Sequence, residues 1–357
     1  MSTQNHEFRE LSYSEAIREA VDHEMARDEN VFTFGVDVDD HVAIQGSTRG
    51  LLEKHGPHRV FGTPLSEDAM TGFAVGAAMS GMRPIHVHIR QDFLLLSMNQ
   101  LINMAAKTHY MYGGILQAPM VVRAIIGKSW GQGPQHSQAL YSLFAHIPGL
   151  KVVAPSNAND AKACMIAAIR DNNPVLFNEH RLLYFTKAYV PEEDIPLPPG
   201  QARVTASGED ITLVGISNMV PECMRARELL AEQGISAEVV DPIWLKPLDM
   251  DTIIQSVNKT GHLLVVDNAW TSCGLSAEII ASIVESQAIA PVTTTLRRMG
   301  FAPTTCPTSP TIEAGFYPNP VTVAAEVFRI LNPDQAPWSP DPDKAKLAYQ
   351  SEFKGPF

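Results

Sequence analysis

Ile85-His86-Val87-His88-Ile89-Arg90 alternates strictly between apolar and polar side chains. That is the period of an extended strand with one apolar and one polar face. Downstream, a helix is predicted from about Leu94 to Tyr112, stopping at Gly113-Gly114, where glycine can take the left-handed turn that ends helices. The apolar run Val121 to Ile126 then reads as a buried strand. Leu150 to Val153 and Val175 to Phe177 are two more, separated by a helix from Asp160 to Arg170. Upstream, Ser12 and Glu15 have capping-box spacing ahead of Ile17, Ala20, Val21 and Met25 on one helical face. Val31 to Val36 is a further buried strand and Glu67 to Gly81 a helix. Strands alternating with helices at this interval predict a mainly parallel sheet covered by helices on both faces.

Pro191 to Pro199 carries four prolines and three acids, the composition of a linker. Beyond it the pattern restarts, with strands predicted at Ile211 to Ile216, Ala237 to Val240, Leu263 to Val266 and Val292 to Leu296. Helices are predicted near Pro221 to Gln233, Met250 to Val257 and Ser276 to Val284. The fold class is therefore α/β, with two doubly wound domains. The first covers residues 1–190, a linker 191–208, the second domain 209–332 and an extended tail 333–357. The tail is expected to wrap over a surface or fray.

A chain of 357 residues is too long for one ordinary core, which agrees with two domains. With 45% hydrophobic and 18% charged residues it reads as globular and well buried. A net charge of -12 argues against nucleic acid or anionic membranes as main partners. No apolar run is long enough to cross a bilayer, and the polar start, Met1 to Glu10, has no secretory h-region. Cys164, Cys223, Cys273 and Cys306 lie far apart, without metal or dithiol spacing, as expected for free thiols in a reducing cytoplasm.

Two stretches carry chemistry. Gly131-Gln132-Gly133-Pro134-Gln135-His136-Ser137-Gln138 puts a histidine in a glycine-rich loop after a strand. Thr63-Pro64-Leu65-Ser66-Glu67 puts an acid at the start of a helix rich in Gly72, Ala74, Gly76, Ala77 and Ala78. Together they suggest two halves of one active site. The glycines cost helix propensity, so a neighbouring helix, a bound cofactor or close internal packing must want close approach there. No G-x-G-x-x-G follows a strand and no Walker loop is present.

These stretches, with Arg49-Gly50-Leu51, Gly76-Ala77-Ala78-Met79, Ala105 to Tyr110, Pro148 to Val153 and Ala168 to Asp171, occur in one order. In that order the chain resembles the beta subunit of the thiamine-dependent, first component of the 2-oxo acid dehydrogenases (pyruvate, branched-chain and acetoin types), within the transketolase-like superfamily. The resemblance runs from about Leu11 to Leu331. It implies a pyrimidine-binding domain followed by a transketolase C-terminal-like domain, and thiamine diphosphate with magnesium as cofactor. Glu67 matches the carboxyl that bonds the cofactor's pyrimidine nitrogen, a role that asks for burial and a raised pKa. The helix start opposes that shift, because its dipole favours the carboxylate. Leu65, Ile89 and Phe93 match residues around the pyrimidine, although Phe93 also reads as a core residue at a helix start. His136 matches the active-site histidine, which serves substrate and acceptor. The loop Lys128 to Pro134 would then cover the substrate.

Asp171-Asn172-Asn173 resembles the diphosphate–magnesium motif superficially, but that motif needs an upstream Gly-Asp-Gly that this chain lacks. The resemblance instead makes Met120, Ala168, Ile169, Asp171 and Asn173 a site for a monovalent cation such as potassium. A plain helix end without an ion reads nearly as well. With nothing here for the diphosphate, the site needs a second polypeptide. The implied partner is an alpha subunit in a heterotetramer of two alpha and two beta chains.

Some positions depart from the family. Val36 stands where an acid is usual, and Arg90 to Leu96 comes nearest to the acetoin type. Arg90 and Lys128 could offer charge to a carboxylate or phosphate, but read more simply as solvated or structural cations. Thr304 to Pro307 and the tail to Phe357 stand in place of the short end that, in the resembling complexes, helps dock a lipoyl acyltransferase core, which argues against attachment to such a core. The expected activity is decarboxylation of a 2-oxo acid with transfer of the acyl unit. The alternative is a two-subunit, acyloin-forming carboligase that works without a lipoyl core.

Overall fold

A computed structural model describes residues 9–40, 43–128, 131–287 and 295–345. In chain order the strands of the first half are β1 (Glu10–Ser12), β2 (Val31–Gly35), β3 (Val60–Gly62), β4 (Arg83–His88), β5 (Val121–Ile126), β6 (Lys151–Val153), β7 (Val175–His180) and β8 (Lys187–Tyr189). The second half adds β9 (Arg203–Ala206), β10 (Ile211–Gly215), β11 (Ala237–Asp241), β12 (Trp244–Lys246), β13 (His262–Trp270) and β14 (Thr295–Phe301). They form a seven-stranded sheet ordered β12-β6-β7-β5-β4-β2-β3, a five-stranded sheet ordered β14-β13-β10-β11-β9, and the small antiparallel pair β1-β8.

The first sheet is parallel except for its β12 edge. Its central strands are buried on both faces, and alternate residues feed two separate cores. Val122, Ala124 and Ile126 of β5 enter one, Val121 and Ile125 the other. This is why β5 reads as a continuous apolar run rather than an alternating one. The helix Tyr13–Arg27 begins on the expected capping box, with the Ser12 amide donating to the Glu15 carboxylate at 2.8 Å and the Glu15 amide to Ser12 Oγ at 3.3 Å.

Several elements differ from the sequence expectation. The polar face of β4 does not meet solvent, because His86 and His88 are both buried. The helix expected over Leu94 to Tyr112 is three pieces: a 3₁₀ stretch Gln91–Ser97, a π-helical stretch Asn99–Ala105 and an α-helix Ala106–Met111. Its first piece carries four consecutive apolar residues, of which Leu94 is buried while Leu95 and Leu96 are exposed, so no single apolar stripe runs through it. Within the stretch expected to be linker, β9 is the antiparallel edge of the second sheet. Three of its four residues are exposed, so it shows no apolar alternation.

The strand β12 belongs by sequence to the second half but pairs with β6 of the first sheet, burying Trp244 completely. The helix Pro320–Leu331, capped by Asn319, packs on the second core. No helix is expected there from the sequence, although Asn319-Pro320 is a start signal inside the expected second domain. Trp338 folds back on Phe328 with ring centroids 5.3 Å apart. The final strand expected from Val292 begins at Thr295, and residues 292–294 and 346–357 lie outside the described residues. Among the described residues no helix is long and apolar enough to cross a membrane.

Candidate active site

Parallel strands deliver side chains to the carboxyl edge of the sheet, where ligands of open α/β folds bind. Here that edge opens into a cleft of about 220 Å³ between β4, the segment Thr63–Ser66 and the glycine-rich loop. Leu65, Glu67, Ile89, Phe93 and His136 all line it, so residues far apart in the chain share one wall.

Glu67 is the first residue of the helix Glu67–Met79, and in the chain by itself it is half-buried. Leu65 is 78% exposed. The Phe93 ring meets the His136 imidazole edge-on, with centroids 5.2 Å apart. His136 is placed by its loop, which turns through Gly131 and Gly133 at φ +72° and +70°. Both glycines lie against Thr308 of the second domain, so a side chain at Gly133 would collide with the Thr308 methyl. Residues 129 and 130, inside the expected covering loop, lie outside the described residues.

Sequence reasoning missed what anchors this loop. Gln91 donates to the Asn178 side-chain oxygen at 2.5 Å and accepts from the Leu140 amide at 2.5 Å. Asp92 Oδ1 accepts from the Gln138 side chain at 2.8 Å. Burial raises the Asp92 carboxyl above its ordinary value, and the hydrogen bonds from Gln138 oppose that rise. The only signal was the unusual Gln-Asp pair after a strand.

The sequence also gave no role to a buried polar cluster beside the cleft. His86 and His88 lie 3.2 Å apart, and both reach Thr71 Oγ1 at 3.3 Å. Thr71 donates to Ser97 at 2.9 Å. Burial pushes the His88 imidazole down to about 3 and His86 well below its ordinary value, so both are neutral at neutral pH. Phe34 stacks on His86 at 4.5 Å. The alternation of β4 announced these side chains without saying that their face is interior.

The residues expected to seat a cation lie together at the end of the helix Ala158–Arg170, away from the cleft lining. The carbonyls of Ile169 and Asp171 both accept from Arg83 Nη1 at 3.0 Å, so they converge on one point. The Ala168 carbonyl accepts from the Asp171 amide at 3.3 Å and that of Met120 from the Val175 amide at 3.0 Å. The Asp171 carboxylate takes Lys151 Nζ and the Asn173 amide. Among the described residues no group of three or more His, Cys, Asp and Glu could hold a metal ion.

Residues 9–187 match the family model of the transketolase pyrimidine-binding domain, and residues 200–323 that of the transketolase C-terminal domain. The chain is 42% identical over 333 residues to the beta subunit of acetoin:2,6-dichlorophenolindophenol oxidoreductase from Cupriavidus necator, covering 90% of this chain and 98% of that one. It is 41% identical over 283 residues to the mitochondrial pyruvate dehydrogenase E1 component subunit beta of Homo sapiens, covering 78% and 79%. Among solved structures, a split-gene transketolase described as an inactive beta4 tetramer superposes with a TM-score of 0.73 at 21% identity, over 91% of this chain and all of the other (100%). That likeness speaks to the fold.

Proposed function

The chain belongs to the transketolase-type family that includes the beta subunits of acetoin and pyruvate oxidoreductases, and on that premise we propose that it is the beta subunit of a thiamine-diphosphate-dependent 2-oxo acid dehydrogenase-type enzyme. The observation that carries this reading is the convergence of Leu65, Glu67, Ile89, Phe93 and His136 on one cleft. Its lining offers the aminopyrimidine end of the cofactor apolar contacts from Leu65, Ile89 and Phe93 and a carboxyl from Glu67, with His86, His88, Arg90 and His136 completing the wall. When bound, thiamine diphosphate supplies a thiazolium carbon that acts as the nucleophile. Glu67 holds a proton at the pyrimidine nitrogen, Phe93 and Ile89 exclude water, and His136 exchanges a proton with substrate or acceptor.

The diphosphate and its magnesium require a second chain, an alpha subunit carrying the metal motif, in a heterotetramer of two alpha and two beta chains. Exposed apolar side chains support such a partner. Leu65 lines the cleft, and Phe73, Met104, Met111, Tyr110 (89% exposed) and Ile115 (88%) lie on or beside the helical elements Glu67–Met79, Asn99–Ala105 and Ala106–Met111. Covering them would also bury Glu67 further, the burial its role asks for. The same reading seats a monovalent cation such as potassium among Met120, Ala168, Ile169, Asp171 and Asn173. The oxygen-rich donor set there suits a hard ion.

The test is reconstitution. Titration calorimetry on the isolated chain is expected to detect negligible thiamine diphosphate binding. The chain assembled with its alpha partner should bind the cofactor and decarboxylate a 2-oxo acid with an artificial electron acceptor. Tight magnesium-dependent binding to the isolated chain, or an assembled protein inactive on every 2-oxo acid, would overturn the reading.

A further inference from the structure

Two kinds of buried arginine stand close together in this chain. Arg123 is fully buried and answered by a carboxylate, with Nε and Nη2 on the two oxygens of Glu179 at 2.5 and 2.9 Å and Nη2 also on Ser47, while its Nη1 has no hydrogen-bond partner among the described residues. That is a structural ion pair, and the pairing holds its guanidinium above the ordinary value. Arg181, two residues beyond Glu179, is 1% exposed, and no carboxylate lies within ion-pair distance of it among the described residues. Its Nη1 donates to the Gln132 side-chain oxygen at 2.6 Å, while Nε and Nη2 have no hydrogen-bond partner among the described residues. Arg90, on the cleft wall beside Ile89 and Phe93, repeats the pattern. Its Nη1 donates to the Ile89 carbonyl at 2.8 Å, and its Nε has no hydrogen-bond partner among the described residues.

Arg90 and Arg181 follow the parallel strands β4 and β7, which flank β5, so both stand at the carboxyl edge of the first sheet. Burial and the charge of Arg90 bring the Arg181 guanidinium down to about 9. The one carboxyl acting on both is Asp92, raised by its own burial and with Oδ2 unpartnered. Lys128 nearby is faced by Glu313 and Glu222 and lies 5.0 Å from the Tyr317 ring centroid, so it does not serve the pair. One buried and one half-buried guanidinium group against one carboxyl leave an excess of positive charge and, among the described residues, three nitrogens without a hydrogen-bond partner. A buried donor left idle costs about 1–3 kcal/mol, more when charged. Arg123 also leaves one nitrogen idle but has the two-point Glu179 pair beside it, and neither Arg181 nor Arg90 has a carboxylate within ion-pair distance among the described residues.

We propose that Arg90, on the cleft wall, and Arg181, behind it at the carboxyl edge of the same sheet, form an anion-recognition site, which holds a carboxylate or phosphate that the substrate or acceptor keeps throughout the reaction. The inference rests on the proposed function of the same cleft. The departing carboxylate of the 2-oxo acid is excluded as the occupant on energetic grounds. Two cations stabilise it most before it leaves as neutral carbon dioxide, and binding the ground state better than the transition state slows the step. The anion is therefore a second one, remote from the reacting carbonyl. Gln132 ties Arg181 to the loop that carries His136, so the anchored end and the proton-handling end of the substrate are set by one segment.

Competition kinetics on the assembled protein decide this. Two pairs are compared: 2-oxoglutarate against 2-oxobutyrate as donors, and glyceraldehyde 3-phosphate against glycolaldehyde as acceptors. In at least one pair the anionic member should be preferred in kcat/KM by tenfold or more ("~10-fold", about one charge-assisted contact). In Arg181→Gln that ratio should fall to near unity, chiefly through KM, with Arg181→Lys between the two. Because each ratio is internal to one variant, partial misfolding cancels. The pair that responds tells a carboxylate-bearing donor from a phosphorylated acceptor. A wild-type protein without preference in both pairs, or a preference that survives Arg181→Gln, overturns the site. If no 2-oxo acid reacts at all, the proposed function fails instead. The melting midpoint in inorganic phosphate then decides the site: it should rise for the wild type and not for Arg181→Gln, and equal responses overturn the proposal.

Discussion

Glu67 and His136 sit on the same cleft wall but ask to be tested differently. Glu67→Gln keeps the shape and one hydrogen bond while losing the ability to share a proton. In the assembled protein it should still permit cofactor binding, while hydrogen–deuterium exchange at the thiazolium carbon slows by roughly 10²–10⁴-fold, the usual worth of a positioned proton transfer. Exchange at the wild-type rate would remove Glu67 from that role. His136→Ala should do the reverse, leaving both exchange and cofactor affinity nearly intact while turnover falls by about 10²-fold. Loss of cofactor binding would make the histidine a structural residue. Both side chains were legible in the sequence because each stands in a short stretch of unusual backbone chemistry. Gln91, Asp92 and Asn178 were not, because their work is done across three separate segments that meet only in the fold.

The helix Glu67–Met79 resolves a question that its glycines raise. Close internal packing would explain them, yet nothing in the chain comes within 4 Å of a side chain added at Gly76, and at Gly72 only Gln100 does, at 3.6 Å. Gly76 and Phe73 are exposed on this helix, which fits approach by another chain. Gly76→Leu should therefore leave the melting of the isolated chain unchanged or slightly raised, since glycine costs a helix about 1 kcal/mol, while abolishing co-purification with the alpha partner. An intact complex would mean that the partner docks elsewhere. At the far end of the helix Ala158–Arg170, two converging carbonyls already hold the Arg83 guanidinium. An ion seated there shares them. Melting in potassium chloride is expected to exceed melting in choline chloride at equal ionic strength by a few degrees. Equal midpoints would leave Arg83 and Lys151 as the cations of that helix end.

The two domains are joined through buried polar contacts. Asp241, at the end of β11, accepts from Ser156 Oγ at 2.5 Å and from the Ile243 amide at 2.8 Å, just where the chain crosses to pair β12 with β6. Burial pushes its carboxyl up to about 7, with Asp160 adding to the rise. In the unfolded chain it ionises near pH ~4, so between about pH 4 and 7 the folded state holds a proton that the unfolded state has released. Stability therefore falls as pH rises through that window and levels off above it. Asp241→Asn should flatten the decline, by up to about 4 kcal/mol if the whole shift is expressed. Chemical denaturation at pH 4.5 and 7.5 measures it, and equal pH slopes in the two proteins would show that Asp241 does not govern the junction.

The sequence by itself determined the layered α/β architecture, because helix and strand periods and caps such as Ser12–Glu15 are local and need no distant partner. It also announced Glu67, His136 and their pyrimidine-side neighbours, whose motifs are contiguous. Only the tertiary structure decided that the polar face of β4 is interior, that β12 belongs to the first sheet, and that Arg123 is paired while Arg90 and Arg181 are not. Each of those outcomes depends on which surfaces meet. A charged or polar side chain has the same local pattern whether it ends in water, opposite a carboxylate, or facing a site that waits for an anion.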